Sequence, residues 1–318
     1  MQNKLIFEGI FIIVIKNQID MKLKFAMPLR SAMVLSAFSL LTIGCGSDQN
    51  KESENSLLSD STKTSIVKVN NEIFSIPSPI QTAILIKKSG VAFKKNILNP
   101  SDRAEHYTTN FAKAINVGAY GADLGYIAIY DQKQEAFKYM KSIKSLAEEL
   151  GISDAFNADI IERFSKNMNN KDSLLSLISV AYRTTNAYLK SNEQHDISGL
   201  IVTGGWIESL YLATEIYNLS TDEEIKNRIA EQKTSLQRVI NIIKPYSDKA
   251  EYLTLTDNLK KLSAIYDSVG FNNTYVQATT DASKKLTVIN CKTEVAISPE
   301  QIKQISNEIK NIRKQITE

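Results

Sequence analysis

Between Leu200 and Tyr217 the chain is apolar almost all round. A helix with apolar side chains on every face must be enclosed by other elements. This one segment therefore demands a bundle around it, and the flanking sequence supplies the members. Ser78-Pro79 reads as an N-cap with proline at the first helical position, and Gly90 reads as the stop. From Asn71 onward the period is helical. Ser101 and Asp102, after Pro100, predict the start of a long helix reaching to about Tyr130. Ala136, Met140, Ile143, Ala147 and Leu150 share one helical face, closed by Gly151. Phe156, Ile160, Phe164 and Met168 recur at spacing four, and Asp172 and Ser173 predict the cap of a helix over 174–189. Ile225 to Ile243 and Tyr252 to Val269 give two more, ending before Pro245 and at Gly270.

The C-terminal part reads differently. Phe271 to Ser283 is loop-like, and Leu286–Ile289 with Glu294–Ile297 predicts a small hairpin around Asn290 to Lys292. Ser298-Pro299-Glu300-Gln301 is a capping box. After it Ile302, Ile305, Ile309, Ile312 and Ile316 form a narrow seam, suited to docking on the bundle or, if exposed, to pairing with another chain. The fold class expected is mainly all-α, a multi-helix bundle of about eight to nine helices with a small β-hairpin near the C-terminus. The helical domain spans 71–270, and the hairpin and final helix span 271–318.

Cys45 carries the expectation about location. It closes the apolar run Leu40-Leu41-Thr42-Ile43-Gly44, and Lys22, Lys24 and Arg30 lie upstream. A basic region, an apolar stretch and a small residue before the cut make a signal sequence. The run resembles the lipobox of bacterial lipoproteins, although Thr42 stands where that family usually has Leu. The resemblance implies cleavage after Gly44 and lipid on Cys45. Residues 21–44 are then the signal peptide. Residues 45–70, polar and rich in Ser, Asn and Lys, are the lipidated cysteine and a disordered tether. About 23 such residues reach roughly 27 Å. Residues 1–20 carry a second apolar block ahead of the basic segment, and Met21 is the more natural start. Gly46 after the cysteine, rather than Asp, implies the outer membrane, and Asp48, Glu52 and Glu54 resemble the acidic stretch of surface lipoproteins in Bacteroidetes-type bacteria. Together with the bundle composition, the chain is similar to helical envelope lipoproteins of that group. Partners implied are the membrane through its lipid anchor and an envelope protein.

The charge balance removes other classes. Residues 1–44 hold five of the 38 Lys and Arg and two of the 35 Asp and Glu, so the mature chain keeps 33 of each sign. No basic excess or stripe along the chain points to nucleic acid. With Cys45 lipidated, Cys291 has no intramolecular disulfide partner and reads as a small buried strand residue. His106 and His195 are isolated in sequence, so no ordinary zinc site and no cofactor is expected. Asp222-Glu223-Glu224 is best read as the first turn of a helix.

Four residues make the candidate ligand pocket: Asp123, Arg183, Trp206 and Glu208. Asp123 follows Gly118 and Gly121 in a small-residue stretch, and Glu208 follows Gly204-Gly205-Trp206. Both acids sit in apolar company, and buried carboxylates need partners. Lys113 and Arg183 are the expected ones. The glycines are expected to serve close helix approach or, alternatively, a ligand resting on bare backbone. Residues 124–150 have the flavour of a single tetratricopeptide unit without a second copy. The leading expectation is a non-enzymatic binding or scaffolding lipoprotein. The alternatives are a hydrolase-like enzyme around Asp123 and Glu208 and a helix-hairpin interaction protein.

Overall fold

The computed structural model describes residues 64–69, 72–77, 79–153, 162–164, 166, 167, 170–274, 277–281, 286–288 and 292–318, with the side chains of 171, 172, 182–184, 186, 190 and several strand residues left out. All of them belong to one unit, Glu52–Glu318. The signal segment, Cys45, most of the tether and Cys291 lie outside the described residues, as do Phe156, Ile160 and Met168. Eight α-helices are present among the described residues: α1 (Pro79–Lys88), α2 (Asn110–Ile129), α3 (Lys133–Glu149), α4 (Lys171–Ser191), α5 (His195–Ser220), α6 (Glu223–Ile243), α7 (Ala250–Tyr266) and α8 (Pro299–Thr317). None of the described helices is long and apolar enough to cross a membrane.

The all-round apolar segment is α5, buried from Ser198 to Thr214 without a break. Its principal neighbour is α2, buried from Ala114 to Ile129. The two cross through glycines. A Cβ on Gly118 would stand 1.9 Å from the Ile201 carbonyl oxygen, and one on Gly204 would stand 1.8 Å from that of Ile115. Backbone therefore touches backbone, and close approach is the reason for Gly118. Each glycine costs about 1 kcal/mol in a helix interior. The dispersion contacts of two helices meeting without side chains between them offset that cost. Around this pair, α1, α6 and α8 also pack on α5, and α7 packs on both α6 and α8.

Two helix starts differ from expectation. Residues 101–106 form a 3₁₀ segment, and α2 begins only at Asn110. Thr109 is the cap: its side chain accepts from the Ala112 N–H at 3.1 Å. At α4 the cap is Asn170, whose Oδ1 accepts from the Ser173 N–H at 2.9 Å, so the helix opens before Asp172 and Ser173. The stops at Gly90, Gly151 and before Pro245 hold, while α7 ends at Tyr266, short of the expected Gly270. Gly90 and Gly151 adopt positive φ, and Asp222 caps α6 by accepting from the Ile225 N–H.

The β structure departs further. Strands β1 (Thr64–Val69) and β2 (Glu72–Pro77) form an antiparallel hairpin where a tether to residue 70 and a helical period from Asn71 were expected. The missed signal is two β-branched runs separated by Asn70-Asn71, residues that tolerate tight hairpin turns. At the other end, β3 (Gly270–Thr274) pairs with β6 (Lys292–Ala296), and β4 (Thr279–Asp281) pairs with β5 (Leu286–Val288). The expected hairpin between 286–289 and 294–297 does not form. Its strands instead pair outward with the stretch read as loop. Phe271 and Val295 face each other in the ladder and both pack against the core, which sets that register.

Helix α8 carries the expected capping box, with Ser298 and Gln301 bonded reciprocally at 2.6 and 3.2 Å. All five isoleucines of its seam are buried within this chain. The alternative of an exposed seam is thereby corrected: α7, α5 and α2 cover it.

Candidate functional site

The fold brings Asp123 and Glu208 together and gives them a partner the sequence analysis did not name. Glu208 lies on α5, four residues past Gly204, on the side facing α8. Arg313 of α8 meets it with two hydrogen bonds, Nε to Oε2 and Nη2 to Oε1, each 3.1 Å. Arg313 Nη2 also donates to the Ile97 carbonyl at 3.3 Å, and the guanidinium stacks 4.5 Å from the Tyr211 ring centre. Asp123, on α2, accepts from the Asn99 N–H at 3.1 Å. Asp123 and Glu208 are both 0% exposed, and the Arg313 side chain is 14% exposed.

Two acids and one guanidinium in a sealed site leave one charge too many, and a proton resolves it. Burial is the largest influence on Asp123 and the neighbouring Glu208 charge the next, and together they hold its carboxyl well above the usual aspartate range. Burial works against the Arg313 charge, but Glu208, with Asp123 and Tyr211 beside it, offsets that and the guanidinium is held firmly protonated. The cluster is thus a neutral Asp123 beside a Glu208–Arg313 ion pair. Tyr126 and Tyr211, near it, are pushed by burial up to about 12.

A second polar layer continues to the end of α8. Asn99 Nδ2 donates to Tyr107 Oη and to Asn116 Oδ1 at 3.0 and 3.1 Å. Asn116 Nδ2 donates to the Ile316 carbonyl at 2.6 Å, and Tyr107 and Arg103 both donate to the Thr317 carbonyl at 3.2 Å. The last carbonyls of a helix have no partner within it. Here side chains from α2 and the segment before it supply them. Chemically the arrangement is a latch for α8.

Trp206 and Lys113 have other partners. Trp206 is two residues from Glu208 and so about 200° away around the helix. Its Nε1 donates to Gln232 Oε1 and Ser235 Oγ of α6, both at 2.9 Å. Lys113 pairs with Glu149 at 2.8 Å rather than with Asp123. Arg183 lies on α4, its side chain outside the described residues. Of the four expected residues, Asp123 and Glu208 come together and Trp206 turns toward α6 instead. Arg313 was missed because it follows Ile312 at the edge of the seam, where a charged residue reads as solvated. Asn99 sits in a loop with no periodicity to mark it.

No group of residues that could hold a metal ion occurs among the described residues. A cavity of ≈ 40 Å³ lies between α2, α3, α4 and α5, with Val117, Gly121, Leu124, Met140, Ile178 and Val202 on its walls. It is apolar, with Thr185 and Ser198 the polar side chains on its walls. The Gly121 backbone borders it. No protein-family profile, no curated protein and no solved structure matches the chain.

Proposed function

We propose that this chain is a membrane-anchored extracytoplasmic lipoprotein of the cell envelope, with a non-enzymatic binding or scaffolding role. The observation that carries this reading is the run Leu40–Gly44 ending in Cys45 behind Lys22, Lys24 and Arg30. Lipid on Cys45 holds the domain at the bilayer, and Gly46 assigns it to the outer membrane. The balanced charge of the mature chain fits a role that does not involve nucleic acid.

The burial of Asp123 and Glu208 favours scaffolding over catalysis. Acid–base chemistry needs a carboxyl within reach of a substrate proton, and these two have no exposed surface. Their partners are the backbone at Asn99 and a helix that would have to leave for access.

Metabolic labelling with a clickable palmitate analogue tests the anchor. The wild type takes up label and the Cys45→Ala variant does not; equal labelling overturns the reading. Affinity capture from native membranes with the lipidated chain then tests the role: recovery of a defined envelope protein supports scaffolding.

A further inference from the structure

The fold builds a basic face that is invisible along the chain. The end of α1 and the loop after it contribute Lys87, Lys88, Lys94 and Lys95. The first turns of α3 contribute Lys133, Lys138 and Lys141. Contacts between side chains tie these two distant segments into one surface. Lys95 Nζ stands 2.9 Å from Glu135 Oε1, which Lys138 also approaches at 3.2 Å. Lys87 Nζ lies 4.3 Å over the Tyr130 ring, and Tyr130 donates to the Val91 carbonyl at 2.6 Å.

Within 87–95 and 131–141 the acids are Asp131 and Glu135, so seven lysines face two carboxylates. The mature chain has 33 charges of each sign, and these two segments together hold an excess of five positive charges. Phe137 stands in the α3 part of it, 38% exposed, with Lys141 Nζ 4.7 Å from its ring centre. The apolar face of α3 is buried, so Phe137 is the ring left among the lysines on its outer surface.

We propose that this face docks on an anionic lipid bilayer, the lysines over the headgroups and Phe137 entering the interface. Charge complementarity selects the occupant, and the exposed ring favours lipid over a purely polar polyanion. The setting rests on the lipid anchor proposed above: a tether of roughly 27 Å keeps the domain within reach of the headgroups. An acyl anchor and a polybasic face are also the two signals that together give stable attachment. The domain then lies on the membrane rather than hanging clear of it.

The test is vesicle co-sedimentation of the mature chain, residues 45–318, carrying Cys45→Ala, which removes both the lipid and the basic signal segment from the measurement. Vesicles of phosphatidylcholine alone are compared with vesicles in which one lipid in four is phosphatidylglycerol. The parent is expected to bind the anionic vesicles more tightly, and to lose the difference at high salt. Replacing Lys88, Lys94, Lys138 and Lys141 by Gln is expected to cost about five-fold per lysine, and Phe137→Ser a further several-fold, with unchanged thermal melting. Equal binding of the parent to both vesicle types overturns the proposal, as does binding to DNA or RNA without binding to anionic vesicles. Absence of palmitate labelling on Cys45 would sink the anchor but leaves this result standing.

Discussion

Helix α5 is held on two sides by different physics. Toward α2 the contact is dry and steric, made by Gly118 and Gly204 with backbone on backbone. Toward α8 it is polar, made by Glu208, Arg313 and the neighbouring Asp123. The glycine crossing itself has no titratable group and tolerates no added atom. The second contains a retained proton and a buried charge pair, so solution conditions act on it. One side fixes geometry, and the other adds a polar clasp to the isoleucine seam that docks the C-terminal helix.

The steric side breaks hardest. Gly118→Val places a branched side chain where even a Cβ meets the Ile201 carbonyl at 1.9 Å, and the helices must part. The expected loss is about 5 kcal/mol or more, read as the shift of the urea unfolding midpoint. Next is Arg313→Met, which strands Glu208 as an uncompensated buried charge at about 3–5 kcal/mol. Adding Glu208→Gln in the same chain should recover much of that loss. A double mutant no more stable than Arg313→Met would show that packing, not charge, sets the value.

A pH series sharpens the contrast further. Asp123 has a folded pKa raised above its ordinary value of 3.8. Its contribution to stability is therefore complete below that ordinary value and is lost as pH rises through the raised folded value. Unfolding measured across the range should show the wild type losing stability, relative to Asp123→Asn, as pH rises from acid to alkaline. A parallel dependence for both chains would exclude a proton at this site. The smallest effect is Thr109→Ala, which removes the α2 cap and a hydrogen bond to Glu251 without touching either contact, and should cost about 1 kcal/mol.

Much of the bundle was legible in sequence because its signals are local. The capping box at Ser298, the stops at Gly90 and Gly151 and the isoleucine seam of α8 are each decided within a few residues. The starts of α2 and α4 were misplaced because several polar residues near each start could cap, and only packing chose Thr109 and Asn170. The hairpin at 64–77 was overlooked because a polar tether was expected to run on. The ribbon at 270–296 was mispaired because strand partners depend on what lies opposite, here Phe271 with Val295. The acids at 123 and 208 were recognised by their apolar company. Their partner was not, because Arg313 is far away in sequence and sits beside a stripe rather than in it.

By itself the sequence determined that α5 would be enclosed, where most helices stop, and that the segment before Cys45 resembles a lipoprotein signal. Those properties follow from periodicity, caps and hydropathy, which neighbouring residues carry. Only the tertiary structure decided that Arg313 closes on Glu208, that Asp123 keeps its proton, and that lysines from two distant segments share one face. Charges act through space and burial, and a chain does not reveal which of its remote segments will meet.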